Sequence, residues 1–218
     1  MLKISLKEKL EAGLADMKLH VSEAKQAQLV QYLLLLQKWN QVHNLTAVRD
    51  PLEMVTLHLL DSLSVMRCVE DSGAKSLLDV GAGAGLPSIP LAICLPDLQV
   101  TAIDAVMKKT SFMRQAKGEL GLPNFHVETG RVEALKKELG FDLIISRAFS
   151  EMALFVKLTK HLLAPTGLWL AMKGVSPLLE IESLTREDAS VQVNKITPLA
   201  VPGLQAERHL VYLSPLSN

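Results

Sequence analysis

The chain reads as an α/β fold. The expected architecture is a seven-stranded, mostly parallel sheet with an antiparallel last strand, helices on both faces, and a helical extension in front. Three observations carry this reading. From residue 75 onward, short apolar runs alternate with amphipathic stretches, which is the pattern of parallel strands joined by crossover helices. The apolar run Leu77-Leu78 ends in Asp79, and glycines follow at 81, 83 and 85, so a buried strand passes through a tight turn into a helix. Only Pro198 to Ala206 separate the last two apolar runs, too little for a crossover helix, so those strands pair antiparallel.

In chain order, the first 74 residues are helical in pattern. Residues 5–17 and 22–41 carry apolar positions at three- and four-residue spacing, and 51–70 does the same through Leu52, Val55, Leu59, Leu63 and Met66. Ser22, followed by Lys25-Gln26, can start the second helix without forming a strict capping box. Asp50-Pro51 pairs an Asp cap with proline at the first helical position. Strands are expected at 76–80, 98–104, 125–129, 141–146, 167–173, 190–197 and 207–214. Helices are expected between them at 88–95, 108–120, 132–139, 151–163 and 176–184. The organisation is thus a helical extension over 1–74 and a sheet domain over 75–218, forming one compact unit.

The glycine turn carries the functional information. The chain reverses sharply there, and a ligand must approach the backbone where a Cβ would clash. The helix N-terminus that follows is a binding position in its own right. In the dinucleotide pattern G-x-G-x-x-G/A the third small residue lets helix and strand pack closely; Leu86 occupies that place and is too large. The pattern present is D-x-G-x-G-x-G, on Asp79, Gly81, Gly83 and Gly85. About twenty residues further on, the run Val100 to Ile103 ends in Asp104, where a carboxylate can accept both ribose hydroxyls. The plain alternatives are an ordinary βα turn and a solvated acid at a strand end.

Composition bounds the rest. A chain of 218 residues, 49% hydrophobic, has ample material for one α/β domain and an added segment. Lys plus Arg and Asp plus Glu both number 23, so no global basic field points to nucleic acid, and any RNA surface must come from local clustering. Two cysteines, Cys68 and Cys94, exclude a disulfide framework and a multi-cysteine zinc site. The histidines show no metal spacing, so no metal is expected. The charged start lacks the apolar core of a signal peptide, and the run Tyr32 to Leu36 is too short to span a bilayer. A cytoplasmic, monomeric chain with no membrane contact is expected.

The D-x-G-x-G-x-G pattern resembles motif I of the class I S-adenosylmethionine methyltransferases. The flanks make the resemblance specific. Trp39-Asn40, Asn44-Leu45-Thr46, His58 and Asp61-Ser62-Leu63 precede the turn, Gly85-Leu86-Pro87-Ser88-Ile89-Pro90-Leu91 continues it, and Ile145-Ser146-Arg147-Ala148-Phe149 ends the fourth strand. Together these resemble the RsmG (GidB) family of bacterial 16S rRNA methyltransferases, which methylate a guanine at N7. The resemblance runs from about residue 30 to the C-terminus. It implies a Rossmann-like class I fold, S-adenosyl-L-methionine as cofactor, and 16S rRNA or the small ribosomal subunit as partner. Ser88 stands where that family usually has glycine; serine is small, and little effect is expected.

The resemblance maps the cofactor site onto Gly81, Leu86, Asp104 with Ala105 and Val106, Val132-Glu133, and Arg147, beside Asp79, Gly83 and Gly85. Leu86 can pack on the cofactor or in the core. Backbone groups at Val132-Glu133 can bond an adenine edge, while Glu133 equally suits a helix first turn. Arg147 ends the fourth strand, where open α/β sheets bind ligands, and can hold a cofactor carboxylate or an RNA phosphate. Ser146 and Arg147 are the candidates for orienting the target base. Lys108, Lys109, Arg114 and Lys117 form a basic stretch that is either a solvated helix face or an RNA contact. Lys173 ends the fifth strand and Arg49 precedes Pro51; both can meet phosphate. His58 and Asp61, three apart on one helix face, are expected to pair and lock that helix over the cofactor mouth.

The chemistry agrees with the resemblance. Methylation of an exocyclic amine usually goes with an N/D-P-P-Y/F motif after the fourth strand, and this chain has Ser146-Arg147-Ala148-Phe149 there. Methylation at pyrimidine C5 needs a cysteine nucleophile, yet Cys68 lies before the fold and Cys94 on the helix after the glycine turn. Guanine N7 carries an in-plane lone pair and no proton, so its methylation needs proximity and alignment rather than a catalytic dyad. Two alternatives stay open: a class I methyltransferase acting on another RNA or a small molecule, and an RNA-binding assembly protein without turnover.

Overall fold

The structure is a computed structural model that describes residues 2–147, 149, 151–174 and 176–216. Seven strands form one sheet: β1 (Ser76–Val80), β2 (Gln99–Asp104), β3 (Phe125–Thr129), β4 (Phe141–Ser146), β5 (Leu163–Lys173), β6 (Val191–Pro198) and β7 (His209–Pro215). Their spatial order is β3-β2-β1-β4-β5-β7-β6. The first five pair in parallel, and β7 runs antiparallel between β5 and β6. The chain moves outward from β1 to β3, then crosses back to β4 beside β1. That reversal opens a crevice beyond the carboxyl ends of β1 and β4, the usual ligand position in open α/β sheets.

Nine α-helical segments are seen among the described residues: α1 (Leu2–Asp16), α2 (Glu23–His43), α3 (Pro51–Met54), α4 (Asp61–Leu63), α5 (Met66–Asp71), α6 (Ser88–Cys94), α7 (Met107–Leu120), α8 (Met152–Thr159) and α9 (Leu178–Glu187). The two expected caps form: Ser22 Oγ accepts from Lys25 N at 3.4 Å and Asp50 Oδ1 from Leu52 N at 3.0 Å. Side chains alternate across β1 with the period of a strand. Leu77 joins a core that runs from Leu6 and Leu10 of α1 through Leu29 and Leu36 of α2 to Phe112 and Phe125. Leu78 and Val80 join the opposite core, with Trp169, Phe155 and Leu184. The helical extension and one face of the sheet therefore share one core. Helix α2 also ties down the far ends of two sheet helices: Lys25 Nζ donates to Cys94 O at 2.7 Å and Gln28 Nε2 to Leu120 O at 3.0 Å.

Three segments differ from expectation. The helix expected at 132–139 is only a 3₁₀ turn, Val132–Ala134. Val132 alone is buried there, and Leu139 is 84% exposed, so no apolar stripe holds a longer helix. Strand β5 starts at Leu163 instead of 167, because Leu163 pairs with Phe141 across an irregularity in the ladder. Gly167 permits this, since a Cβ there would meet the Phe141 carbonyl at 2.8 Å. The helix expected over 51–70 is divided, with Val55–Leu60 wound as a π-helix between α3 and α4.

Candidate active site

The glycine turn is built by its backbone. Gly81, Gly83 and Gly85 have φ of 71°, 60° and 83°, all in the left-handed region that other residues enter at a cost. Gly81 N and Ala82 N donate to Ile103 O at 2.9 and 3.2 Å, which hangs the turn on the end of β2. A Cβ on Gly85 would overlap Ile89 of α6, whereas one on Gly83 would enter open space. Tyr32 of α2, fully buried, donates its hydroxyl to Ala84 O at 2.7 Å. The helical extension thus holds the turn directly.

Asp104 closes the other side. Its Oδ2 accepts from Gly83 N at 2.9 Å and its Oδ1 from Val106 N at 2.9 Å. Lys109 Nζ stands 3.5 Å from Oδ2. One carboxylate therefore joins the ends of β1 and β2. Ala105 and Val106 are exposed beside it. Gly130 N donates to Asp104 O at 3.1 Å, which brings the segment with buried Val132 and exposed Glu133 alongside.

Asp79 lies behind the turn with no exposed surface. Its Oδ2 accepts from Ser88 N at 3.2 Å, and its Oδ1 has no partner. Burial pushes its carboxyl up to about 7. Ser88 opens α6 fully buried, with its own Oγ unpartnered.

Two cavities open at this end of the sheet. The first, about 300 Å³, is lined by Gly81 to Ala84, Leu86, Leu45, Thr46, His58, Lys109 and Arg147. The second, about 380 Å³, is lined by Val48, Leu57, Asp61, Arg147, Met172, Lys173, Gly174 and Arg208. Arg147 is a wall of both. A larger hollow of about 420 Å³ lies at the opposite end of the strands, against Lys75, Cys94 and Leu98, away from the turn.

His58 and Asp61 do not form the expected pair. Asp61, 2% exposed at its side chain, accepts from Arg147 Nη1 at 2.9 Å on Oδ2 and from Arg208 Nε at 2.9 Å on Oδ1. The π-helical turn that carries His58 breaks the face an α-helix would have shared. His58 Nε2 instead stands 2.9 Å from Thr46 Oγ1. Burial, with Arg147 nearby, brings His58 down to about 4, so its ring is neutral.

The other predicted residues sit as follows. Ser146 Oγ donates to Val80 O at 2.8 Å, joining β4 to β1. Lys173 is 8% exposed, with Nζ at 2.6 Å from Glu180 Oε2 and 2.9 Å from Phe149 O. It is an internal strut here, and phosphate would have to compete with Glu180. Arg49 is exposed but donates to Asn40 O at 3.1 Å and Asn44 Oδ1 at 2.7 Å, closing the end of α2. Lys108 is exposed, while Arg114 donates to Thr129 Oγ1 at 2.8 Å. Sequence reasoning missed Arg208 and Tyr32, and it missed the role of Asp61. The only signals were a lone aromatic opening the run Tyr32 to Leu36 and a charge just before the last strand.

The same fold is found in the O-methyltransferase from Bacillus cereus solved in complex with SAH, at a TM-score of 0.60 and 16% identity over 85% of this chain and 91% of that one. It is found again in the glycopeptide N-methyltransferase MtfA complexed with S-adenosyl-L-methionine, at 0.61 and 13%, over 72% and 87%. Sheet order and the glycine turn at the end of β1 give this chain the class I methyltransferase fold. More narrowly, the chain belongs to the GidB family, described as rRNA small subunit methyltransferase G, whose model matches residues 25–211. Two relatives carry the name Ribosomal RNA small subunit methyltransferase G. That of Methylobacillus flagellatus is 59% identical over 95% of this chain and 98% of its own length. That of Neisseria gonorrhoeae is 51% identical over the same shares, 95% and 98%.

Proposed function

We propose that this chain methylates N7 of a guanine in the 16S rRNA of the small ribosomal subunit, with S-adenosyl-L-methionine as methyl donor. The observation that carries it is the pairing of two cavities across Arg147, one on the glycine turn and one open beside it. The first cavity fits the donor. Its floor is open where a Cβ on Gly83 would stand. Asp79 Oδ1 is left without a partner just behind the turn, a position for the donor's ammonium group. Asp104 is already aimed by Gly83 and Val106, so its carboxylate can accept ribose hydroxyls without reorganising. Leu86 packs on the donor, backbone groups at Val132 and Glu133 take the adenine edge, and Ala105 and Val106 border it.

S-adenosylmethionine supplies the electrophilic methyl group when bound. The chain's own residues hold the reactants in line. Arg147 stands between the cavities, and Ser146 fixes the strand end behind it. Removal of a proton is not required, because guanine N7 offers a lone pair, and neutral His58 serves as a wall. Lys108, exposed on α7, contributes to the RNA surface with Lys109 and Arg49 beside it, whereas Lys173 stays inside the fold on Glu180 and Phe149 O. An rRNA substrate supports a cytoplasmic location. Among the described residues, no helix is long and apolar enough to cross a membrane.

The test is mass spectrometry of 16S rRNA from cells with and without this protein. One 7-methylguanine should disappear with the gene and return on incubation with protein and donor. Substrate carrying 7-deazaguanine at that position should bind and accept no methyl group. Its methylation would exclude N7.

A further inference from the structure

The second cavity is walled by a group of charges that the methyl-donor site does not use. Asp61 comes from α4, Arg147 from the end of β4 and Arg208 from just before β7. The buried carboxylate takes one guanidinium on each oxygen, both at 2.9 Å. Arg208 Nη1 is also spent, on Glu207 O at 2.9 Å, and Arg147 Nη1 bonds Leu57 O at 3.2 Å. Nη2 of each arginine has no hydrogen-bond partner among the described residues, and their side chains are 30% and 24% exposed for Arg147 and Arg208. Two guanidinia against one carboxylate leave one positive charge in excess, while Lys173 is matched by Glu180. A cavity with surplus positive charge and two guanidinia held in place, each with its Nη2 left to donate, suits a phosphate, whose several oxygens can accept one charge-assisted N–H bond from each. Arg208 lines only the second cavity, so this anion is not the methyl donor's carboxylate.

We propose that this cavity is a phosphodiester subsite: Arg208 and Arg147 hold one backbone phosphate of the RNA beside the target nucleotide, and Asp61 is the positioning residue that aims both. The proposal rests on the rRNA reading above. Because Arg147 also walls the donor cavity, the phosphate grip and the methyl donor share one ordered side chain.

The experiment measures binding to unmethylated small ribosomal subunits at several salt concentrations, with donor affinity followed by calorimetry. Arg208→Gln should leave donor affinity unchanged, weaken RNA binding about tenfold, and make the log–log salt slope shallower by about 0.7, one phosphate contact. In turnover, its KM for RNA should rise while kcat at saturating RNA holds. Asp61→Asn should weaken RNA binding at least as much, and the double variant should be no weaker than Asp61→Asn alone. Arg208→Lys should restore the slope but only part of the affinity, and it carries the test if Asp61→Asn does not fold. An unchanged slope and affinity in Arg208→Gln would overturn the subsite. Full additivity in the double variant would reduce Asp61 to a structural role and overturn its part. A wild type that binds no donor or methylates no rRNA overturns the functional reading itself; a normal wild type with a silent Arg208→Gln overturns the subsite alone.

Discussion

The two halves of the site are made in opposite ways. The donor half is local: Asp79 to Leu86 form one turn, and Asp104 reaches it through a single strand pairing. The clamp half joins Asp61 to Arg147 across 86 residues and to Arg208 across 147. In the donor half the backbone sets the residue types, because three alternating left-handed positions, 81, 83 and 85, admit glycine and almost nothing else. In the clamp half, any arginine that reached Asp61 would serve as well. Backbone constraints leave a spelling in the sequence, while long-range side-chain pairing leaves only isolated charges.

The largest expected effect lies in the local half. Gly81→Val forces a β-branched residue to φ of 71°, on the strand-to-turn junction held by Ile103 O. The variant should fold, by circular dichroism, and lose donor binding in calorimetry. Retained affinity in a folded variant would mean that the turn does not hold the donor, and the contrast between the halves would collapse.

Next comes Asp104→Ala. It removes a charged acceptor for the ribose and also frees Gly83 N and Val106 N. A loss of about 1.5–3 kcal/mol is expected, roughly tenfold to a hundredfold in donor affinity. RNA affinity should hold. Equal losses for donor and RNA would show that the two halves are not separate.

The same contrast explains what was legible. β1, the glycine turn, β2 and Asp104 could be read because apolar runs and left-handed glycines are local facts. The start of β5 could not, since Pro165 to Gly167 look like a turn, and only the ladder to Phe141 draws them into the strand. The helix expected at 132–139 shrinks to one turn because Val132 and Leu135 suggest a period that no neighbouring surface completes. Lys173 stands at the expected strand end, but its engagement by Glu180 depends on how α9 docks. Lys109, expected either on a solvated helix face or at RNA, has its Nζ 3.5 Å from Asp104 Oδ2, a proximity that depends on how α7 leaves β2.

A smaller effect probes where the helical extension meets the turn. Tyr32→Phe keeps the packing against Phe112 and leaves Ala84 O without its donor, a cost of about 1–3 kcal/mol for a buried carbonyl. KM for the donor should rise several-fold, with KM for RNA and kcat at saturation unchanged. A lower kcat with both KM values intact would mean that α2 supports the fold and not the turn.

The smallest expected effect is the most discriminating for mechanism. With donor and RNA both saturating, the single-turnover rate should be nearly flat from about pH 6 to 9, since N7 needs no base and the sulfonium charge is permanent. Asp79 is the group that tests this. Its folded carboxyl is raised to about 7 from an ordinary 3.8, so the neutral form is the one the fold favours. Its contribution to stability is then full below about pH 4 and is lost as pH rises through 7. The donor-free protein should therefore melt lower at pH 8 than at pH 6, and Asp79→Asn should reduce that difference. A bound donor ammonium favours the carboxylate, so donor affinity should increase across the same interval while the saturated rate stays level. A rate that climbs with a midpoint near 7 at saturation would instead make Asp79 or a neighbour a proton acceptor, and would replace simple positioning by general-base chemistry in the local half of the site.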